Sequence, residues 1–295
     1  MDIGYLDGLD AILALGVTPL SHTVMQKHAQ FVSRQQQEDG GFPGRLGASD
    51  TYYTDFALRT LKLCGDESSF QAARGYLQKV PSPVDIVTTF STLNCARILG
   101  DRVPDLHEVI EGQSLASGGY SRRGETQVSA YETFLALLCY EIMGEELPDK
   151  AGTASALRLL QCTDGGFADI PGGKLGQTNA TAAAVATLLH CGVADLGSAS
   201  ADFLVRMQAA DGGLMAHAGV GEGDLLSTFT GLLTLFNLDA MGHLNLPALG
   251  KFVRILMQPE GGFRAAIRDG EADIEYTYYG LGTIAILRAY LMAVE

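Results

Sequence analysis

Five times in 295 residues the chain reads two glycines followed by an apolar residue. The segments are Glu38-Asp39-Gly40-Gly41-Phe42, Ala116-Ser117-Gly118-Gly119-Tyr120, Thr163-Asp164-Gly165-Gly166-Phe167, Ala210-Asp211-Gly212-Gly213-Leu214 and Pro259-Glu260-Gly261-Gly262-Phe263. Their last residues are 78, 47, 47 and 49 positions apart. A motif returning at a period of about 20–50 residues marks a chain of stacked units, each too small to bury its own apolar face. The first interval is nearly double and holds a degenerate copy, in which Val80-Pro81-Ser82-Pro83-Val84 replaces the glycines. Six units result, roughly 5–65, 66–100, 101–144, 145–192, 193–240 and 241–295, in one domain spanning 1–295.

Each unit reads as an apolar-periodic helix ending near a glutamine (Gln36, Gln113, Gln161, Gln208, Gln258), a glycine turn, a loop and a second helix. The paired glycines suit a positive φ and a sharp reversal. The second helices are expected at or just after Asp50, Asp85, Gln127, Gln177, Asp224 and Asp273. Their runs, such as Ala180–Leu189, are rich in Ala, Gly, Thr and Leu around much of the circumference, as befits helices packed on several sides. The expected fold is all-α: an α/α toroid of six helical hairpins closed in a ring, second helices inside and first helices outside.

The acidic balance narrows function. Twenty Lys and Arg against 34 Asp and Glu give a net charge of −14, which disfavours nucleic acid and anionic membranes. Apolar stretches fall short of the roughly 20 residues a spanning helix needs, and Asp2 and Asp7 stand where a signal peptide would carry basic residues, so no membrane insertion and a cytoplasmic location are expected. The five cysteines are odd in number and form no C-x-x-C pair, and they read as small buried hydrophobes.

The repeated Asp-Gly-Gly-Phe turn, the six units and Gly40-Gly41-Phe42-Pro43-Gly44-Arg45 together resemble the protein prenyltransferase β subunits, with terpene cyclases as more distant relatives. The resemblance implies a catalytic zinc held by an Asp, a Cys two residues later, and a His on the next inner helix. The matching positions here are Asp224, Leu226 and Tyr276. Leucine cannot coordinate and a neutral phenol is a poor substitute for imidazole, so the zinc site is expected to be lost. The loop where the family binds diphosphate reads Met215-Ala216-His217-Ala218-Gly219-Val220-Gly221-Glu222-Gly223, without Lys or Arg. Magnesium would then enter only with a bound diphosphate.

A rearranged anion site could instead form around Arg45, Asp50 and Tyr52, against the plainer reading that Arg45 pairs with acids at the ring's mouth. Arg122 and Arg123 are either a second anion-binding pair or a solvated surface pair. The acids at the inner-helix starts, Asp50, Asp85, Asp224 and Asp273, suit either N-caps or the paired carboxylates of an inverting glycosidase on a helical ring. A class II cyclase would carry a D-x-D-D cluster, and Asp273-Ile274-Glu275 is too short for one. Zero Trp further separates the chain from those cyclases and from sugar-binding sites.

The candidate ligand cavity comprises Arg45, Asp50, Tyr52, Tyr53, Tyr131, Asp224, Asp273 and Tyr276, with no metal site and no assigned catalytic residue. The expected function is a β-subunit-like protein without the zinc triad, binding an isoprenoid or other lipid-like ligand, or a peptide, in its centre. An active prenyl or terpene transferase near Arg45, Asp50 and Tyr52, and a non-catalytic scaffold, are the alternatives. A homodimer or an α-subunit-like partner is expected to cover the rim, where the apolar run Leu9–Leu15 and apolar turn residues would be exposed.

Overall fold

The computed structural model describes residues 4–193, 196 and 198–294. The helices, in chain order, are α1 (Tyr5–Val17), α2 (His22–Ser33), α3 (Thr51–Cys64), α4 (Phe70–Leu77), α5 (Ile86–Leu99), α6 (His107–Glu111), α7 (Ala130–Met143), α8 (Lys150–Arg158), α9 (Thr178–His190), α10 (Ala199–Arg206), α11 (Leu225–Asn237), α12 (Leu246–Leu256) and α13 (Ile274–Val294). The odd-numbered helices from α3 to α13 are the inner ring: α3 packs on α5, α5 on α7, α7 on α9, α9 on α11, α11 on α13, and α13 returns to α3. The protein is therefore the all-α toroid that the repeat implies.

Four of the six inner helices begin with an aspartate cap at the expected place, and α9 follows Gln177 without a side-chain cap bond. Asp50, Asp85 and Asp224 accept backbone N–H bonds from Tyr53, Thr88 and Ser227 at 2.9, 2.8 and 2.7 Å, and Asp273 accepts from Tyr276 at 2.9 Å. These bonds satisfy N–H groups that the first turn leaves without partners. The third inner helix starts later than Gln127, at Ala130, with Ser129 as its cap.

Four residues after the cap stands a threonine. Its hydroxyl accepts the N–H of the apolar residue that follows the two glycines: Phe42 to Thr54, Tyr120 to Thr133, Phe167 to Thr181, Leu214 to Thr228 and Phe263 to Thr277, at 2.8–3.2 Å. Every glycine turn is thereby tied to the helix it feeds. The second unit lacks the turn, and the corresponding Thr89 hydroxyl is buried without a partner.

The first glycine of every pair does take a positive φ, from 91 to 100°. The second does so only at Gly119 and Gly262, so Gly41, Gly166 and Gly213 are glycines for another reason. A Cβ at Gly166 or Gly213 would lie 2.8 or 2.5 Å from the ring of Phe203 or Phe252, each on the outer helix of the next unit. The sixth turn repeats this against α2, since a Cβ at Gly262 would lie 2.8 Å from the ring of Phe31. The outer ring closes as well.

The N-terminal helix departs from the six-hairpin plan. Its first two N–H groups, of Tyr5 and Leu6, donate to the Glu141 carboxylate at 2.9 and 2.8 Å, near the C-terminus of α7. Asp10 meets Arg97 and Lys62, in the last turns of α5 and α3. The helix thus lies across the C-terminal end of the inner ring, with Leu6, Leu9 and Leu13 buried. The run Leu9–Leu15 is consequently no sticky rim: only its last residue, Leu15, counts among the exposed large hydrophobics.

Candidate functional site

The inner helices enclose a cavity of about 360 Å³. Its walls follow a register counted from the N-caps. At the second helical position stand Tyr52, Val87, Tyr131, Asn179 and Leu226, forming the mouth. About one turn deeper, the fifth and sixth positions supply Asp55 and Phe56, Phe90 and Ser91, Phe134 and Leu135, Phe229 and Thr230, and Tyr278 and Tyr279. Small residues of α9, Ala182 and Ala183, leave the space that the aromatics of the other helices do not fill. Tyr5, Leu6 and Leu9 of α1 form the floor.

Near the floor Arg59 pairs with Asp55 one turn before it, and its guanidinium lies 4.9, 5.1 and 5.4 Å from the ring centres of Phe56, Phe90 and Tyr278. Asn94 donates to the other oxygen of Asp55 at 2.6 Å. Burial pushes the Asp55 carboxyl up, and the Arg59 charge pulls against it. A charge this deep persists because it is paired and because the ring faces attract it. Among the described residues, Arg59 Nε has no hydrogen-bond partner.

The eight residues singled out from the sequence do not converge. Tyr52 and Tyr131 line the cavity, and 38% of Tyr131 is exposed, facing the open centre of the ring. The Tyr52 hydroxyl donates to Glu275 at 2.8 Å, and burial pushes both groups up. Arg45 donates to Asp273 at 2.7 Å and grips Asp269 with both terminal nitrogens, holding the Asp269 carboxyl down at about 2. Arg45 therefore clamps the first loop to the sixth at the ring's mouth. Asp50 is engaged as the cap of α3, and Tyr53 is half-buried with Gly44 against its ring. Burial raises both the Tyr53 phenol and the Asp273 carboxyl.

The zinc positions can be tested on their donors. Asp224 Oδ1 accepts the Ser227 N–H at 2.7 Å and Oδ2 accepts the Ser227 hydroxyl at 2.8 Å. Leu226 has no donor atom, and burial pushes the Tyr276 phenol up to about 12. Among the described residues, no group of three His, Cys, Asp or Glu side chains is arranged to hold a metal. These side chains do not fit a zinc ion. The other basic pair is also committed in part, since Arg122 donates to Asp169 at 2.7 Å, and Asp169 in turn accepts from Ser129 and from the Tyr131 N–H.

Sequence reasoning missed Asp55, Arg59 and Asn94. The available signal was an acid and a base one turn apart on the inner helix Thr51–Cys64, five and nine residues from its cap.

With this geometry in view, comparison with known proteins places the fold. The prenyltransferase alpha-alpha toroid domain matches residues 6–223 and 201–294, so the chain belongs to that family. No curated protein sequence matches it. Among solved structures, protein geranylgeranyltransferase-I of Candida albicans complexed with GGPP is similar, with a TM-score of 0.70 and 14% identity over 88% of this chain and 90% of that one. A variant of the type II terpene cyclase MstE from Scytonema, bound to geranylgeranyl dihydroxybenzoate, has a TM-score of 0.64 and 12% identity over 96% and 99%. A glycosidase variant has a TM-score of 0.58 and 14% identity over 98% and 100%. At such identities these likenesses concern the fold. Among the described residues, no helix is long and apolar enough to cross a membrane.

Proposed function

We propose that this toroid binds a compact, isoprenoid-like or otherwise lipid-like ligand in its central cavity and does not carry out zinc-dependent protein prenyl transfer. The observation that carries this reading is the cavity itself: about 360 Å³ within the ring, walled by aromatic and aliphatic side chains and closed at one end by α1. A space of this size with a few convergent polar groups suits a small apolar ligand. The neighbours that hold geranylgeranyl groups in the same fold favour a lipid over a peptide.

The chemistry of the walls argues against the transferase and cyclase alternatives. A diphosphate carries several charges and needs several charge-assisted donors at once, whereas Arg45 is held by two aspartates and Arg122 by a third. A migrating carbocation would be repelled by the Arg59 guanidinium, which already sits against the rings of Phe56, Phe90 and Tyr278. A filled scaffold disagrees with the open volume.

The test is a calorimetric titration of metal-stripped protein with farnesol and farnesyl diphosphate, alongside elemental analysis of the protein as purified. The reading expects farnesol to bind without added metal and zinc to be far below one per chain. Tight, zinc-dependent binding of the diphosphate alone, with near-unit zinc surviving dialysis, contradicts it.

The rim calls for a partner. Leu46, Val84, Ile170, Leu175, Val220 and Ile267 are exposed on five of the six loops that surround the mouth. A second copy of the chain would cover such an apolar annulus, and light scattering at the 31.3 kDa monomer mass across a wide concentration range would exclude that arrangement.

A further inference from the structure

A second cavity lies beneath the first and takes no part in the reading above. It is a crevice of about 290 Å³ between α1 and the C-terminal halves of α3 and α5. Each of the three helices gives it both apolar and polar lining: Leu13, Val17 and Asp10 from α1, Leu63 and Lys62 from α3, and Ile98, Arg97 and Asn94 from α5. Leu6, Leu9, Arg59 and Tyr278 border both cavities, so they form the partition between the crevice and the central chamber.

We propose that this crevice binds a small anionic amphiphile, a monocarboxylate with a short unbranched apolar tail. Three cations, Arg59, Lys62 and Arg97, face two carboxylates, Asp10 and Asp55. Asp10 alone serves two of the cations, at 3.0 Å from Arg97 and 3.4 Å from Lys62. Asp7, 3.9 Å from Arg97, sits at the rim and is 78% exposed, so its charge is largely screened by solvent. The Arg97 fork is fixed before any ligand arrives, because its Nε donates to Asn94 Oδ1 at 2.9 Å and Asn94 is held by Asp55. Arg97 Nη1 donates to Asp10 at 3.0 Å, so among the described residues Nη2 is the nitrogen left to meet a carboxylate, and Lys62 beside it adds a mobile ammonium. Leu13, Val17, Leu63 and Ile98, which line the same crevice, receive the tail.

Complementing the C-terminal dipoles of α3 and α5 would explain the sign of Lys62 and Arg97. It does not explain why the two meet in a cavity that apolar side chains also line. In a protein of net charge −14, anion uptake is otherwise disfavoured, so binding reports the crevice.

The test compares octanoate with octanol and octylammonium by calorimetric titration. Octanoate is expected to bind at least tenfold more tightly than either. Lys62→Gln and Arg97→Gln are each expected to weaken octanoate by tenfold or more and leave octanol unchanged, with partial recovery in Arg97→Lys. Ala183→Phe, which fills the central chamber, is expected to leave octanoate binding intact. Should Arg97→Gln loosen α1, seen as a lowered thermal midpoint, the half-exposed Lys62→Gln supplies the decisive comparison. No octanoate binding, equal affinity for octanol, indifference to Lys62→Gln, or loss of octanoate in Ala183→Phe would each overturn the proposal.

Discussion

The second unit and the other five solve the same problem differently. In five units a buried threonine hydroxyl accepts the N–H of the residue after the glycine pair, and that turn rests on the next outer helix. In the second, Val80–Val84 crosses the surface without the turn, and Thr89 keeps the threonine but has nothing to receive. Closure of the ring does not require all six turns: α3 and α5 pack against each other as their counterparts do. The turn contributes the joint between units, and the inner helices contribute the ring.

The largest expected effect falls on a complete joint. Gly213→Val drives a side chain into the Phe252 ring, where even a Cβ lies 2.5 Å away, so urea denaturation should show a loss above about 3 kcal/mol. An unchanged denaturation midpoint would mean that the joint is slack.

Two titrating groups sharpen the contrast, one at a complete joint and one beside the turnless unit. His28 accepts the Gly262 N–H at 3.0 Å and stacks on Phe263, and burial holds its imidazole down at about 4. A folded value below the unfolded value of about 6.5 gives stability that is fully present above about pH 6.5 and declines as pH falls toward 4, by on the order of 3 kcal/mol. Glu132, buried on α7 and subject to the Asp85 charge of the second unit, is pushed up to about 7, mainly by burial. A folded value above the unfolded one gives stability that is present below about pH 4.5 and is lost as pH rises through 7, by a similar amount. Their slopes oppose each other between about pH 4.5 and 6.5. Glu132→Gln should therefore make stability rise with pH across that window, and His28→Gln should make it fall. Parallel profiles for both variants and the parent would refute the assignment.

A smaller effect isolates the hydroxyl. Thr228→Val strands the buried Leu214 N–H and should cost about 1–3 kcal/mol, while Thr89→Val removes an orphan hydroxyl and should be neutral or slightly stabilising. Equal losses at both sites would erase the distinction between units. The smallest loss is expected at Gly100, with φ of 69° and nothing within 4 Å of a Cβ, where Gly100→Ala should cost about 1 kcal/mol from backbone strain alone.

Much of this was legible before any coordinates. The glycine pairs announced the period, and aspartates at a fixed offset announced the inner helix starts, because turn and cap chemistry is local. The reason for the second glycine was not local. Gly166 and Gly213 are small because Phe203 and Phe252 approach from the next unit, a contact that spacing within one unit does not reveal. The same limit applies to α1, whose amphipathic pattern gives a buried face but not the ring end it covers. Of the candidate site, Tyr52 and Tyr131 were visible as tyrosines on the inner helices, yet Arg45 and Asp273 proved to be a loop clamp. Asp55 and Arg59 were passed over because a charged pair one turn apart usually lies on a solvated face.

The central claim is that the ring holds an apolar ligand inside it. It is tested most directly by the crystal structure of the protein soaked with a terminally brominated C10 alcohol, located by the anomalous signal of the bromine. The account predicts a bromine within the inner ring, among Tyr131, Ala183 and Phe229, and its loss in Ala183→Phe. A bromine found only at the outer loops, or none inside a ring whose aromatic side chains have closed on the space, would contradict it.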